Sequence, residues 1–275
     1  MPAWARIAVI ALALLPAAAA AQMAELVSKT TFRVCADPSN DPMSSQDGTG
    51  FENKIADLLA ARLEKPVEYT WFPMSTGFVR RTLRANECDV IIGFAQGHEM
   101  VQNTNHYMTS AYTIVLPKDS PLADVTTISD PRLKGKVLGI IAGSPPGTHM
   151  ARQGLMAKAR PYQLFVDRRY ASPASDMLVD LEAGEIDAAI LWGPISGPLV
   201  KREHPDLKVV PLIHETDPPR LFYRITMGVR LGEDQWKRQL NSLLRRNQGE
   251  IDQILTEAGV PLLNNMGTGL KEGTQ

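Results

Sequence analysis

Leu83-Arg84-Ala85-Asn86-Glu87-Cys88-Asp89-Val90-Ile91-Ile92 and Leu181-Glu182-Ala183-Gly184-Glu185-Ile186-Asp187-Ala188-Ala189-Ile190 are two copies of one pattern. Leu, Ala, Glu, Asp and Ile stand at equivalent places, and Asn86 shares a slot with Gly184. Asn and Gly are the two residue types that accept the left-handed backbone closing a helix. Each copy therefore reads as helix, turn, buried strand, and the chain as two halves built from that unit.

Working outward from the first copy, Phe32 to Ala36 reads as a strand, followed by the turn-rich loop Asp37-Pro38-Ser39-Asn40-Asp41-Pro42. A helix from about Phe51 to Glu64 shows its apolar face in Phe51, Ile55, Leu58, Leu59 and Leu63. Val67 to Phe72 is a second strand, Gly77 to Ala85 a second helix and Asp89 to Phe94 a buried third strand. Around the second copy the order repeats: strand Lys136 to Ala142, a helix from about Thr148, a helix introduced by Ser172-Pro173, and strand Ala188 to Trp192. Strand and helix in succession imply parallel pairing with right-handed crossovers. The fold class is α/β.

Tyr112 to Pro117 and Leu221 to Val229 read as extended segments passing between the halves. Amphipathic helices near Glu233 to Arg246 and Gln248 to Ala258 follow, and Gly259 and Pro261 stop the last one. Two lobes joined by a two-segment hinge enclose a cleft at the carboxyl ends of the parallel strands, where ligands of open α/β sheets bind. The expected limits are 26–114 plus 224–263 for lobe one and 115–223 for lobe two. Residues 264–275, glycine-containing and nearly devoid of apolar side chains, are expected to be a flexible tail.

Arg6, the apolar run from Ile7 to Leu15, Pro16 and Ala19-Ala20-Ala21 read as a secretory signal over residues 1–21, cleaved before Gln22. A membrane anchor needs about 20 continuous apolar residues, so the mature chain is expected in the periplasm and not embedded in a membrane. In the 275 residues, 29 basic side chains balance 30 acidic ones, leaving no electrostatic footprint for nucleic acid. In an oxidising compartment Cys35 and Cys88 permit a disulfide, and two buried free thiols satisfy the sequence equally. A bond closing that loop would stabilise the fold by roughly 4 kcal/mol in the chain-entropy picture.

The order of elements resembles the type II periplasmic solute-binding proteins. Arg33-Val34-Cys35-Ala36-Asp37-Pro38-Ser39-Asn40, Gly50-Phe51-Glu52-Asn53-Lys54-Ile55-Ala56, Glu68-Tyr69-Thr70-Trp71-Phe72-Pro73 and Gly77-Phe78-Val79-Arg80-Arg81-Thr82-Leu83 are similar to the MoxJ/XoxJ group. Cys88-Asp89-Val90-Ile91-Ile92-Gly93, Gly184-Glu185-Ile186-Asp187, Trp192-Gly193-Pro194 and Met227-Gly228-Val229-Arg230 carry the likeness through the rest of the chain. That group is associated with quinoprotein alcohol dehydrogenases that use pyrroloquinoline quinone (PQQ). The resemblance thus implies a non-enzymatic accessory protein of methanol oxidation, assisting maturation or activation of the dehydrogenase, its partner. The alternative is the receptor of an ABC transporter for a small solute.

Amino-acid receptors resembling this fold place an arginine after the third strand of lobe one and an acidic residue after the matching strand of lobe two, because a buried zwitterion needs both charges answered. Here those places read Phe94-Ala95-Gln96-Gly97-His98-Glu99 and Trp192-Gly193-Pro194-Ile195, so an amino-acid ligand is not expected. The candidate ligand or partner cleft comprises Asp37, Asn40, Trp71, Phe72, Phe94, Gln96, Ser144, Thr148 and Trp192. Its aromatic members would line the cleft or dock a partner, and Gly143-Ser144 before a helix could face an anion, though a capped turn serves as well. Asp37, Asn40, Asp41 and Asp47 lack the alternating spacing of a calcium loop and read as Asx turns. No cofactor, metal ligand set, nucleophile elbow or phosphate loop is legible, and His98 and Glu99 fall near the cleft, where they could assist acid–base chemistry.

Overall fold

The computed structural model describes residues 26–97 and 99–272, so the leader expected over 1–21 lies outside the described residues. Along the first half run β1 (Phe32–Ala36), β2 (Ser39–Asn40), β3 (Ser44–Ser45), α1 (Phe51–Arg62), β4 (Val67–Trp71), α2 (Phe78–Arg81), β5 (Val90–Ala95), β6 (Gln102–Asn103) and β7 (Met108–Pro117). The second half continues with β8 (Leu138–Ile141), α3 (Pro146–Arg152), β9 (Arg160–Tyr162), α4 (Pro173–Glu182), β10 (Ala188–Trp192), α5 (Gly193–Glu203) and β11 (Leu207–Pro211). The chain then returns through β12 (Phe222–Val229), α6 (Asp234–Arg246) and α7 (Gln248–Ala258).

The strand order is β4-β1-β5-β12-β7-β10-β8-β9. Parallel runs β4-β1-β5 and β10-β8-β9 flank the two crossing strands, which are antiparallel to each other and to their neighbours. β7 is shared between the two: Met108 to Ala111 pair with β12, while Tyr112 to Val115 pair with β10. The buried side chains divide accordingly. Phe32, Ile55, Leu59, Trp236 and Leu240 belong to one core and Ile114, Leu138, Ile140 and Ile190 to another. The molecule is a two-lobed α/β protein.

The sequence repeat is a structural repeat. Asn86 and Gly184 adopt φ values of 62° and 74°, ending their helices left-handed. Asp89 N–H then bonds Arg33 O at 2.9 Å and Asp187 N–H bonds Val137 O at 2.7 Å, seating each buried strand beside the first strand of its lobe. Both aspartate side chains grip that neighbouring strand, Asp89 through Arg33 and Asp187 through the Val137 N–H and Lys136.

Three helices differ from the sequence reading. The helix expected over Gly77 to Ala85 breaks at Thr82, whose hydroxyl bonds Phe78 O at 2.8 Å, and a 3-10 turn completes it. The helix expected from Thr148 starts at Pro146, where a fixed φ suits the first helical position. α5 was not foreseen. Its Gly193-Pro194 start is a helix-initiating signal, and its Gly197 lets the helix backbone close on Gly259 O at the end of α7, a space any side chain would fill. Lys201 on the same helix caps the last carbonyls of α7, reaching Glu257 O at 2.9 Å.

Within the segment expected to be a flexible tail, residues 264–272 fold into a turn. Asn264 Oδ1 accepts the N–H groups of Met266 and Thr268, Leu263 bridges Leu270, and Lys271 pairs with Asp252 at 2.5 Å. Side-chain-to-backbone bonds, not apolar burial, hold this turn.

Candidate ligand cleft

A cleft of about 540 Å³ lies between the lobes, within the range of small-molecule sites. β5 brings Gly93 and Ala95 to it, the loop after β1 brings Asn40, Asp41 and Met43, and the crossing strands bring Tyr112, Tyr223 and Ile225. Lobe two supplies Ser144, Trp192, Ile195, Arg202 and the loop carrying Leu164, Val166 and Arg168. Tyr112, Trp192 and Tyr223 form one aromatic cluster, with centroids 5.3 Å apart for Tyr112 and Trp192, 5.7 Å for Trp192 and Tyr223 and 6.3 Å for the two tyrosines. The contacts are tilted or edge-on, the geometry ring quadrupoles favour. Burial, then the neighbouring Tyr223, pushes the Tyr112 phenol up to about 12, and burial raises Tyr223. Both therefore stay neutral hydrogen-bonding groups at physiological pH.

The charged groups come in two sets. Arg202 pairs with Asp41 of the opposite lobe at 2.6 Å and with Glu203 at 2.6 Å. Arg168 donates across the cleft to Asn40 Oδ1. Behind the cleft wall Glu52, 6% exposed at the start of α1, fills the space a side chain on Gly93 would occupy. Burial, with Asp37 adding to it, raises its carboxyl to about 8.

Of the residues expected at the site, Asn40, Ser144 and Trp192 line this cleft and the others do not. Asp37 is buried in an Asx turn, accepting Ser39 N–H at 2.9 Å and tethering Met74 N–H at 2.7 Å. Trp71 stacks on Tyr69 along the edge strand β4, centroids 4.4 Å apart. Phe72 packs beside Phe78 under the Arg81 guanidinium. Phe94 alternates with Gly93 and Ala95 on β5 and packs instead on the cluster containing Cys35 and Cys88. Gln96 lies at a separate groove of lobe one, and Thr148 is exposed on α3. Strand-end position was the shared signal for these aromatics, and side-chain alternation decides which face they take.

Ser144 makes a turn, its hydroxyl donating to Ile141 O at 2.7 Å, and the short α3 behind it has Pro145 and Pro146 at its start. The turn is closed by Ser144 on Ile141 O, α3 carries no side-chain cap, and its two leading prolines offer no N–H to an anion. Asp47 likewise accepts Thr49 N–H at 3.0 Å in an Asx turn. His98 lies outside the described residues, and Glu99 is exposed. Among the described residues no group of three or more His, Cys, Asp and Glu is placed to hold a metal ion, and no helix is long and apolar enough to cross a membrane. Cys35 and Cys88 are joined as a disulfide in the structure, with Cα atoms 5.5 Å apart.

Tyr112, Tyr223, Arg168 and Arg202 were missed as site residues. The tyrosines sit on the two segments read as interlobe crossings, a signal that could have placed them, whereas Arg202 needed the unforeseen α5 and Arg168 lies in a loop.

The segments after the two repeat strands read Phe94-Ala95-Gln96-Gly97-His98-Glu99 and Trp192-Gly193-Pro194-Ile195, with no arginine in the first and no acidic residue in the second. The profile of the bacterial extracellular solute-binding proteins, family 3, matches residues 32–258. Protein MoxJ of Methylorubrum extorquens is 28% identical, covering 93% of this chain and 92% of its own. The crystal structure of periplasmic binding protein XoxJ from Methylobacterium extorquens AM1 aligns at 42% identity and a TM-score of 0.73, covering 86% of this chain and all of that one. MxaJ from Methlophaga aminisulfidivorans MPT aligns at 25% identity and a TM-score of 0.71, covering 85% of this chain and 100% of that chain. With its two lobes, its cleft and these relatives, the chain belongs to the family 3 bacterial extracellular solute-binding proteins, in their MoxJ/XoxJ group.

Proposed function

We propose that this is a periplasmic, non-enzymatic accessory protein that assists maturation or activation of a PQQ-dependent methanol or alcohol dehydrogenase. The observation that carries the reading is the 42% identity to XoxJ over the whole of that chain. The cleft supports it, since charges able to clamp a free amino acid are missing where such receptors place them. The quinone belongs to the partner enzyme and not to this chain. The leader over residues 1–21 would deliver this chain to the periplasm. Lobe limits of 26–114 plus 224–263 and 115–223 place the cleft between the lobes and make β7 and β12 its hinge.

Reconstitution tests this reading. Cofactor-free dehydrogenase given PQQ should regain activity faster or further with this protein than with an equal amount of an unrelated solute-binding protein. Equal recovery counts against it.

A second reading, a receptor that closes on a small solute and hands it to a membrane permease, is favoured by the aromatic-walled cleft of about 540 Å³. The two readings are compatible if solute binding controls which conformation the partner meets.

A further inference from the structure

The two cations lining the cleft are not equivalent. Arg202 is neutralised twice, by Asp41 and by Glu203. Arg168 lines the same cavity, and its hydrogen bond is to a neutral acceptor, Asn40 Oδ1. Asn40 is 3% exposed, and its Nδ2 is buried without a hydrogen-bond partner. An unanswered donor in a buried amide is costly. A cation and an amide donor side by side call for an acceptor that carries negative charge.

The rest of the cavity restricts what else that ligand can carry. Tyr112, Trp192 and Tyr223 form a continuous aromatic wall, and Met43, Ile195 and Ile225 add aliphatic surface. Asp41 and Glu203 are the acidic residues of the lining, and both are held by Arg202. A ligand ammonium would therefore be desolvated with no free counter-charge.

We propose that the cleft binds a small aromatic or apolar monocarboxylate without an ammonium group, its carboxylate seated at Arg168 and the Asn40 amide and its body against Trp192 and the two tyrosines. The proposal rests on the cleft being a ligand site and not on partnership with a dehydrogenase. The charge that selects the ligand comes from a loop of lobe two, on the other side of the cleft from the place where amino-acid receptors resembling this fold carry theirs.

Calorimetric titration of the full mature chain tests it, with benzoate and hexanoate as carboxylates, benzamide as the neutral isostere and phenylalanine as the zwitterion. At least one carboxylate should bind at one site per chain, about 10-fold or more tighter than benzamide and phenylalanine. Arg168→Gln, a change on an exposed loop that leaves the core intact, should reduce that carboxylate to the level of benzamide, and Arg168→Lys should restore part of the difference. Benzamide or phenylalanine binding as well as the carboxylates, or indifference to Arg168→Gln, would overturn the carboxylate assignment. If in that case benzamide binding is abolished by Trp192→Ala, the cleft remains a ligand site of another class. Silence from every probe would remove the cleft-ligand reading together with the proposal, leaving the dehydrogenase partnership to its own test.

Discussion

Arg202 on α5 meets Asp41 in the loop after β1 at 2.6 Å, so a cation of one lobe and a carboxylate of the other join across the cleft. Both side chains are nearly half exposed, 49% and 44%. A pair of that exposure contributes up to about 1 kcal/mol, too little to hold the fold but enough to bias a hinge.

Asp41→Asn should shift the balance toward open conformations by up to about 5-fold, the equivalent of about 1 kcal/mol. Small-angle scattering should show a larger radius of gyration at low salt, converging with wild type as salt screens the pair. Thermal stability should barely change.

The repeat predicts unequal costs at its two aspartates. Asp89 is 1% exposed and shared by Arg33 and Arg230, each at 2.6 Å, so Asp89→Ala removes the carboxylate that joins them, leaves Arg230 to Glu233 and Arg33 to backbone carbonyls, and should cost about 3 kcal/mol in denaturant unfolding. Asp187, whose side chain is 35% exposed, holds Lys136 and one N–H, and Asp187→Ala should cost about 1 kcal/mol. Burial opposes ionisation of Asp89, yet the bonds from Arg33 and Arg230 outweigh it and hold the carboxyl below its ordinary range. A depressed folded value gives stability present above the unfolded pKa and lost as pH falls, so the Asp89→Ala penalty should shrink in acid.

Glu52 has the opposite sign. Its folded-state value, raised to about 8 by burial and then Asp37, lies above the unfolded one near 4.5, so the folded chain holds a proton that the unfolded chain releases between those limits. Its contribution is fully present below the lower value and lost as pH rises through the upper one. Glu52→Gln should therefore flatten the decline in melting temperature between about pH 5 and 8, gaining up to a few kcal/mol at the alkaline end.

The disulfide links residues 53 apart in sequence. Cys35→Ser with Cys88→Ser should lower stability by roughly 4 kcal/mol, and intact mass should rise by two hydrogens when the wild type is reduced.

How far the sequence reached is clearest at β5 and β10. The helix, left-handed stop and buried strand were legible because Asn86, Gly184 and the paired aspartates are local signals. Phe94 and Trp192 looked equivalent, both aromatic and both at strand ends. Only Trp192 reaches the cleft, because register and alternation set the direction of a side chain and neither is written in composition. Tyr112 and Tyr223 come from strands 111 residues apart that β7 and β12 pair in register, with Tyr223 opposite Ser110. Such a meeting is tertiary, as are the Arg202 and Arg168 contacts. The turn at Asn264 is local by contrast, an Asx turn that a reading by apolar content passes over.

Native mass spectrometry of the mature protein mixed with cofactor-free and PQQ-loaded dehydrogenase tests the central claim most directly. The accessory role predicts a stoichiometric complex that forms preferentially with the cofactor-free enzyme. Failure to associate with either form, at concentrations where the two proteins remain folded, would contradict it.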